Sequence, residues 1–511
     1  MSDSIEETSD VQLRSKVVYP PLPPTLQGGM SWKMLKYFGA GAILASVTIG
    51  SGETFMASRG GAIFGYGALW AILLASVAKC VQVYTAARHI TLTGRHPIED
   101  WARISKSIPW FLLILCAWCF PFLLSFLGLA LGQIVNDMFG LADIDSDPEK
   151  FRQYSRYWAT LATLVAAGLT LIQAYGVMEK VQTFVIGLLL LCIGIATFAV
   201  NPEWLSVLEG LFVPSTPKYP DWMLARYQQA VKDSAWVEIT AIIGFIGGGT
   251  YDYLGYIGCL REKNWGAISA IPISEVKQIS TDEDNITRGL KWLRPASIDV
   301  SVSFLCVFIF SVCFVVLGAI VLNPKQVYPR DGEMLTQQSE FLTRLHPKLL
   351  YLYYGGVFMA FWGTIYGAYE IYCRTVYECL RSVSRRVRES PPRNVFRVVL
   401  VYCGIGAILL SWITENPVSL IKFPSTVGGV LTCGFWCFGM VWLDRKSLPP
   451  ALQMKKPLLA ATLLSGLFLT AVGMKGFGDY AVGLFRNPDE TAEAVDATAL
   501  DTEQSEFVEL K

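Results

Sequence analysis

Charged residues and histidines are scarce in this chain of 511 residues. Only 16% of its residues are charged and 53% are hydrophobic, whereas about a quarter of the residues of a soluble domain are charged. The deficit excludes a large soluble protein and indicates a polytopic membrane protein. The formal net charge is zero, so no global field attracts nucleic acid, and no nucleic-acid partner is expected. The three histidines stand in loops or at span ends, which excludes a histidine proton relay in the core.

Motifs of soluble enzymes are also missing. The sequence contains no phosphate-binding loop, no nucleophile–histidine pair and no metal motif outside the hydrophobic stretches, so neither an enzyme nor a resident cofactor is expected. The amino terminus lacks the basic-then-apolar layout of a cleavable signal peptide. Residues 1–33 are predicted to form a flexible cytoplasmic arm, and the acidic residues 484–511 a disordered tail.

Long hydrophobic stretches make up the rest of the chain. A membrane span needs roughly 20 mostly apolar residues, and residues 34–483 contain eleven candidates. We divide them into a first repeat (34–200), a second repeat (235–443) and an extra helix (457–483). The candidates lie near 34–59, 66–87, 108–135, 157–175, 181–200, 236–260, 296–322, 349–376, 395–412, 419–443 and 458–482.

The loop charges predict an orientation. The second, sixth, eighth and tenth connections hold most of the Lys and Arg residues found between spans, and all four fall on one side of the membrane. The positive-inside rule then places the amino terminus in the cytoplasm and the carboxyl terminus outside. We expect a multi-pass protein of the plasma membrane (the inner membrane of a cell that has two). The basic run at 381–397 anchors this topology and does not indicate a nucleic-acid patch.

Two spans are interrupted by nearly the same glycine motif. The first reads Ile49-Gly50-Ser51-Gly52-Glu53, and the sixth reads Ile246-Gly247-Gly248-Gly249 followed by Thr250-Tyr251-Asp252. Unwound backbone survives at mid-membrane depth only where it is buried in protein or lines a cavity. Five spans separate the two motifs, so they recur in inverted topology. This pattern predicts an all-α LeuT-type fold, a 5+5 inverted repeat with broken first and sixth helices, plus an eleventh helix.

The two breaks together predict a cation site. A half-helix that ends in the membrane exposes its last carbonyls, here near residues 48–50 and 246–248, and Glu53 and Asp252 add formal charge. Oxygen ligands favour hard divalent ions such as Mg²⁺, Mn²⁺ or Ca²⁺. Alternatively, each carboxylate only caps the half-helix that it begins. The candidate binding residues are Gly50, Ser51, Glu53, Gly248, Tyr251 and Asp252.

A second polar pair lies in the eighth span. Glu370 and Arg374 are four residues apart and therefore share one helix face. We interpret them as an ion pair that serves as a lock or gate.

The second and eighth spans resemble those of one known family. In the second span and its loop the matching residues are Tyr66, Leu69-Trp70, Leu73-Leu74-Ala75, Gln82, Ala87-Arg88, Thr93-Gly94 and Glu99; in the eighth they are Gly363-Thr364-Ile365-Tyr366-Gly367 and Glu378. With these residues the chain resembles the Nramp family of divalent-metal transporters. The resemblance implies a LeuT-type fold that binds metal between unwound first and sixth spans.

The motifs of the binding site depart from that family. Gly50, Ser51, Gly52 and Glu53 stand where the family has Asp-Pro-Gly-Asn, and Tyr251, Asp252 and Tyr253 stand on its Met-Pro-His, with Gly248 on the carbonyl position. The loss of the methionine removes a soft thioether ligand. The loss of the histidine undermines proton coupling, so neither ion choice nor coupling can be inherited from the family.

Three hypotheses follow for the function. The first is a monomeric secondary transporter that moves a divalent metal ion, its substrate, across the bilayer by alternating access. The second is a cation-coupled carrier for a small organic solute on the same scaffold. The third is a non-transporting sensor that has lost ion binding.

Overall fold

The described residues fold into a bundle of long helices and a short strand pair. The computed structural model describes residues 16–29, 31–144, 146–172, 175–227, 231, 234–270, 278–326, 334–344, 346–414 and 419–485. Strand β1 (Lys16–Val17) pairs in parallel with β2 (Gln278–Ile279), with Lys16 opposite Gln278 and Val17 opposite Ile279.

Each of the eleven predicted spans falls on helix in the described part of the chain. The first comprises α1 (Ala40–Thr48) and α2 (Ser58–Phe64), and the sixth comprises α7 (Ala235–Phe245) and α8 (Thr250–Cys259). The others are α3 (Leu69–Thr93), α4 (Ser107–Phe139), α5 (Pro148–Ile172), α6 (Tyr175–Ala199), α9 (Glu283–Leu317), α10 (Leu349–Val383), α11 (Pro392–Ile413), α12 (Thr432–Ser447) and α13 (Lys456–Phe485).

Short segments connect and interrupt these helices. Short α-helices are Pro24–Gln27, Pro97–Ile104, Trp204–Phe212, Asp221–Arg226, Met334–Gln338, Glu340–Thr343, Arg385–Glu389 and Ser419–Phe423. Tight 3₁₀ turns are Trp32–Tyr37, Gly65–Ala68, Leu260–Lys263, Gly266–Ser269, Asn323–Lys325 and Pro450–Leu452. Wide π-helical turns are Ile49–Ala57, Gly318–Leu322 and Pro424–Leu431.

By length and composition alone, six helical stretches of the described residues could cross a membrane. A bent pair, Leu190–Ala199 with Trp204–Phe212, would raise the number to seven. Of the other predicted spans, the sixth is broken and the eighth is rich in tyrosine. Their acidic residues Glu238 and Glu370 are buried among protein neighbours, as polar groups at membrane depth require.

Glycines let the broken helices approach their neighbours closely. A Cβ on Gly61 of α2 would lie 2.2 Å from the Val315 carbonyl oxygen of α9, and one on Gly318 would lie 2.4 Å from Ser58 O. In lipid, where apolar tails give little drive for helix association, such close backbone contacts stabilise helix pairs. The glycines therefore hold the first span against α9.

Part of the predicted flexible arm contacts the helix bundle. Residues 1–15 lie outside the described residues, whereas Tyr19 is buried and its N–H donates to Asn285 Oδ1 at 2.8 Å. The Tyr19 hydroxyl donates to Leu92 O at 3.0 Å, and Trp292 Nε1 donates to Pro20 O at 3.0 Å. The backbone of this part of the arm therefore bonds to side chains of α9, and the Tyr19 side chain bonds to α3. Of the predicted acidic tail, residues 486–511 lie outside the described residues.

The packing of α8 gives a first prediction. A Cβ on Gly255 would lie 2.4 Å from Ile371 O of α10, whereas one on Gly168 of α5 would meet nothing within 4 Å. Alanine is favoured over glycine in a helix interior by about 1 kcal/mol. We therefore expect Gly255→Ala to lower the midpoint of thermal unfolding and the matched control Gly168→Ala to leave it unchanged or higher. Equal midpoints for the two purified variants would contradict the close contact between α8 and α10.

Candidate ion-binding site

The sixth span is interrupted at its glycine run, as expected. Helix α7 ends at Phe245 and α8 begins at Thr250. Gly247 and Gly248 have φ of +72° and +84°, a region that residues with a Cβ adopt only with strain. A Cβ on Gly247 would also lie 2.6 Å from the Phe304 ring. Glycine is therefore required for the break, which leaves the last carbonyls of α7 without helical partners.

A lysine side chain from the second span fills this group of carbonyls. Lys79 lies on α3 and is fully buried. Its Nζ lies within hydrogen-bond distance of four carbonyl oxygens, at 2.6 Å from Ile243, 2.9 Å from Gly244, 2.8 Å from Ile246 and 2.7 Å from Gly248, so its three N–H groups are shared among the four oxygens. We call these four oxygens the carbonyl cradle. Its dipoles point at the ammonium, the arrangement that compensates a positive charge removed from water.

The Tyr253 hydroxyl also bonds to the break. It lies 2.9 Å from Gly247 O and 3.1 Å from Gly248 O, as a donor. The Gly248 carbonyl, which the sequence predicts to be a metal ligand, therefore already accepts hydrogen bonds from two donors in this conformation. Tyr253 lies on the family motif compared above, but neither Tyr253 nor Lys79 is among the predicted site residues.

The first span is wound differently from the prediction. Instead of unwinding, residues Ile49–Ala57 form a π-helical stretch continuous with α1 and α2. Gly50 N–H donates to Thr364 Oγ1 at 3.1 Å, and Thr54 Oγ1 donates to Ile49 O at 2.6 Å. A π turn frees fewer carbonyls than an unwound break, so the expected carbonyl ligands of the first break are not all available. The side chain of Ser51 lies outside the described residues.

Glu53 links the π-helical stretch of the first span to the break in the sixth span. Its Oε1 accepts a hydrogen bond from Gly247 N–H of the sixth span at 3.1 Å. Asp252 Oδ2 accepts from Gly249 N–H at 2.8 Å and so caps its own helix, α8. Both carboxylates are buried, and they bind amides two residues apart in one break. The cap that sequence analysis weighed as an alternative for Asp252 is present.

Each of the two carboxylates has one oxygen that accepts no hydrogen bond from the described residues. Among the described residues, Glu53 Oε2 and Asp252 Oδ1 are buried without a hydrogen-bond partner. Such orphaned buried acceptors are rare and demand an explanation, such as an unseen ion. Both negative charges act on the Lys79 ammonium. Within the same described part of the chain, no three His, Cys, Asp or Glu side chains come together as a metal-ligand group.

Aromatic rings close the inner side of the break. Tyr251 is buried, and its ring lies 6.0 Å from that of Phe120 and 6.4 Å from that of Tyr372. The Phe120 and Tyr372 rings are stacked at 3.7 Å. Thr375 Oγ1 donates to Tyr251 O at 2.6 Å and ties the start of α8 to α10. Tyr251 therefore shapes the site with its ring and not with its carbonyl.

Ion pairs lie at both ends of the broken helices. We call the end at which α1 begins the inner end, after the predicted orientation. At the outer end Arg59 of α2 pairs with Glu238 of α7, with Nη2 2.8 Å from Oε1, and both are buried. Towards the inner end, Arg374 Nη2 lies 2.8 Å from Glu370 Oε1, and Arg374 Nη1 lies 3.2 Å from Glu262 Oε1. Glu370 and Arg374 line an inner cavity of about 600 Å³.

A larger ionic cluster joins the inner loops. Arg261, just after α8, donates to Glu378 Oε1 at 2.8 Å and to Glu99 Oε1 at 2.8 Å, and Arg381 Nη2 lies 3.1 Å from the same Glu99 oxygen. We call Glu99, Arg261, Glu378 and Arg381 the inner ionic cluster. It ties α8 to α10 and to the loop after α3.

His96 strengthens this connection as a neutral group. Burial lowers the pKa of His96 to about 4. Its Nδ1 accepts from Ile98 N–H at 3.2 Å, so the remaining proton is on Nε2, which donates to Leu254 O at 3.0 Å. The loop after α3 is thus fixed directly to α8.

Comparison with known proteins places the chain in a family. The model of the family described as natural resistance-associated macrophage protein-like (Nramp) matches residues 41–477. The chain belongs to the Nramp family. Proteins of this family are transporters and not enzymes, and this Nramp protein is an integral, multi-pass membrane protein.

Individual relatives are distant. The divalent metal cation transporter MntH of Caldanaerobacter subterraneus is 21% identical over 62% of this chain and 64% of its own. The metal transporter Nramp6 of Arabidopsis thaliana is 27% identical over 36% of this chain and 33% of its own. The chain thus spans a third to just under two thirds of the curated relatives that it matches.

A solved structure confirms the fold. The manganese transporter of Eremococcus coleocola, in complex with an aromatic bis-isothiourea compound, is 15% identical. The two structures superpose over 95% of this chain and 94% of the manganese transporter, with a TM-score of 0.65. This Nramp protein therefore has the predicted LeuT-type fold.

The inner ionic cluster gives a second prediction. Arg261→Gln leaves Glu99 and Glu378 with Arg381 as their remaining cationic partner. Removing one member of a buried ion pair costs about 3–5 kcal/mol, and we expect the lower end of that range because Arg381 stays. Arg385→Gln, which removes the exposed pair with Glu389, should change stability by less than about 1 kcal/mol. Thermal unfolding of both variants measures the difference, and a similar midpoint for the two would show that the cluster contributes little.

Proposed function

We propose that this protein transports a divalent metal cation, with Glu53 and Asp252 as its charged ligands. The observation that carries the proposal is the pair of unpartnered carboxylate oxygens, Glu53 Oε2 and Asp252 Oδ1, at one glycine break. With both acids ionised, Glu53, Asp252 and Lys79 together have one net negative charge, which attracts a cation. The metal relatives named above support the same substrate class.

A hard ion is the proposed substrate. The unpartnered ligand atoms are carboxylate oxygens, and neither the thioether nor the imidazole of the family motif is present at Tyr251 and Tyr253. Oxygen ligands suit Mg²⁺ and Mn²⁺ better than softer transition metals. The ion is the cargo of the protein, and no resident cofactor is proposed.

Alternating access is the proposed mechanism. Glu53 and Asp252 are buried between the Arg59–Glu238 pair at the outer end and the Glu370–Arg374 pair towards the inner end. Opening the outer side would separate Arg59 from Glu238. Opening the inner side would separate Arg374 from Glu262 and Arg261 from Glu378, because Glu370 and Arg374 lie on the same helix, α10. A carrier that opens only one side at a time avoids a continuous pore. We place the protein in the plasma membrane as a monomer, with the amino terminus in the cytoplasm.

Substitution of each acid by its isosteric amide tests the role of the negative charge while keeping the hydrogen bond to the backbone. In Glu53→Gln and Asp252→Asn, a side-chain oxygen can still accept from Gly247 N–H or Gly249 N–H, but the negative charge is gone. We expect each variant to fold and to lower Mn²⁺ and Mg²⁺ uptake into proteoliposomes at least about tenfold, the effect of losing about 1.4 kcal/mol of binding. Glu389→Gln and Asp284→Asn, at exposed positions, are the matched controls.

The outcome also tests the capping alternative for Asp252. If Asp252→Asn transports normally while Asp252→Ala unfolds at lower temperature, the residue is only a cap. Wild-type uptake in Glu53→Gln would remove Glu53 from the ligand set, and if both amides transported normally the proposal would be abandoned.

A cation-coupled carrier for an organic solute is the second candidate. The observation that favours it is the occupied carbonyl cradle beside the aromatic group of Phe120, Tyr251 and Tyr372, which suits an organic ligand better than a metal. A ligand that binds only the folded state raises its stability. Thermal unfolding in the presence of divalent metals or of amino acids separates the candidates: stabilisation by amino acids alone would favour the organic solute.

A further inference from the structure

The carbonyl cradle has the properties of a cation site. The oxygens of Ile243, Gly244, Ile246 and Gly248 come from one half-helix end and converge on one point at 2.6–2.9 Å. The carboxyl end of a helix has about half a negative charge, and half-helix ends in transporters of this fold coordinate coupling ions. In this chain the cation at that point is the ammonium group of Lys79, a side chain of α3.

The carboxylates are not the partners that hold Lys79 in place. Its four hydrogen bonds go to carbonyl oxygens, whereas Glu53 and Asp252 bind the amides of Gly247 and Gly249. A buried lysine in the interior of a membrane protein costs several kcal/mol without compensation. The cradle therefore supplies the hydrogen bonds to the ammonium, the two carboxylates act on it only through their charge, and each carboxylate keeps an oxygen that can bind another ligand.

The dimensions of the cradle select the kind of cation. Mg²⁺ needs oxygens at about 2.0–2.1 Å and Ca²⁺ at about 2.3–2.6 Å. The Nζ–O distances of 2.6–2.9 Å are those of an ammonium group that donates hydrogen bonds. The cradle is too wide for the proposed divalent cargo and fits a primary ammonium or a monovalent cation of similar size.

We propose that the Lys79 ammonium takes the place of a free monovalent cation, so that the protein holds its own co-ion at the sixth-span break. Without the lysine side chain, the cradle binds a free primary ammonium ion. This inference rests on the proposed function in that it assigns the cradle to the co-ion and leaves the divalent cargo to Glu53 and Asp252. Divalent transport then needs no free monovalent cation at this position.

Chemical rescue of Lys79→Ala tests the inference. The substitution removes Cγ, Cδ, Cε and Nζ, and n-propylammonium has the same three carbons and nitrogen. We expect the full-length variant to unfold at lower temperature than the wild type, and its midpoint to rise saturably with n-propylammonium chloride. Tetramethylammonium chloride, which cannot donate hydrogen bonds, should have no such effect on the variant, and neither salt should raise the midpoint of the wild type.

Lys79→Met is the matched control. Methionine fills most of the lysine volume and leaves no room for a free ammonium ion, so n-propylammonium should not stabilise this variant. A folded Lys79→Ala protein that is insensitive to n-propylammonium would overturn the inference. Equal stabilisation of the alanine and methionine variants would overturn it too.

Failure of Lys79→Ala to fold alone also gives a decisive result. The protein is then expressed and purified with n-propylammonium or with tetramethylammonium, and the yield of monodisperse protein is compared. Recovery only with n-propylammonium supports the cradle as a cation site, and recovery with neither salt rejects it. No divalent metal is present in these experiments, so their outcome is independent of the uptake measurements on Glu53→Gln.

Discussion

Satisfaction of the backbone carbonyls freed at residues 243–248 is the constraint on which the centre of this protein depends. Lipid offers these groups no hydrogen bonds, and the four oxygens around Lys79 point in one direction. The Lys79 ammonium and the Tyr253 hydroxyl donate the hydrogen bonds that these carbonyls lack. With the carbonyls satisfied, the amides of the same break are free to bind Glu53 and Asp252, and the first and sixth spans are joined.

Ion pairs lie on both sides of this centre, at the outer end and at the inner end of the bundle. Arg59–Glu238 joins α2 to α7, so it connects the outer halves of both interrupted spans, whereas the inner ionic cluster connects α8 to α10 and to a loop. Among the described residues, one buried ion pair joins the first and sixth spans at the outer end, whereas a cluster of four charged residues joins the elements at the inner end.

The sequence predicted which residues lie near the site but not how they are bonded to one another. Gly247 and Gly248 indicated the sixth-span break, and Glu53 and Asp252 were recognised as buried acids near the breaks. The π winding of Ile49–Ala57 was missed, because a π turn and an unwound segment have the same glycine-rich sequence. The role of Lys79 was missed although a lysine in an apolar helix is itself an indication, because its partners lie more than 160 residues away.

Local sequence alone determined the spans, the inverted repeat and the position of the sixth-span break, because hydropathy and the conformational freedom of glycine act over a few residues. Only the tertiary structure decided which group neutralises the break, which carboxylate oxygens remain unpartnered and how far the amino-terminal arm is ordered. These outcomes depend on contacts between distant segments, such as Lys79 with Gly248 and Tyr19 with Asn285. No local pattern in the chain encodes the direction in which such side chains meet.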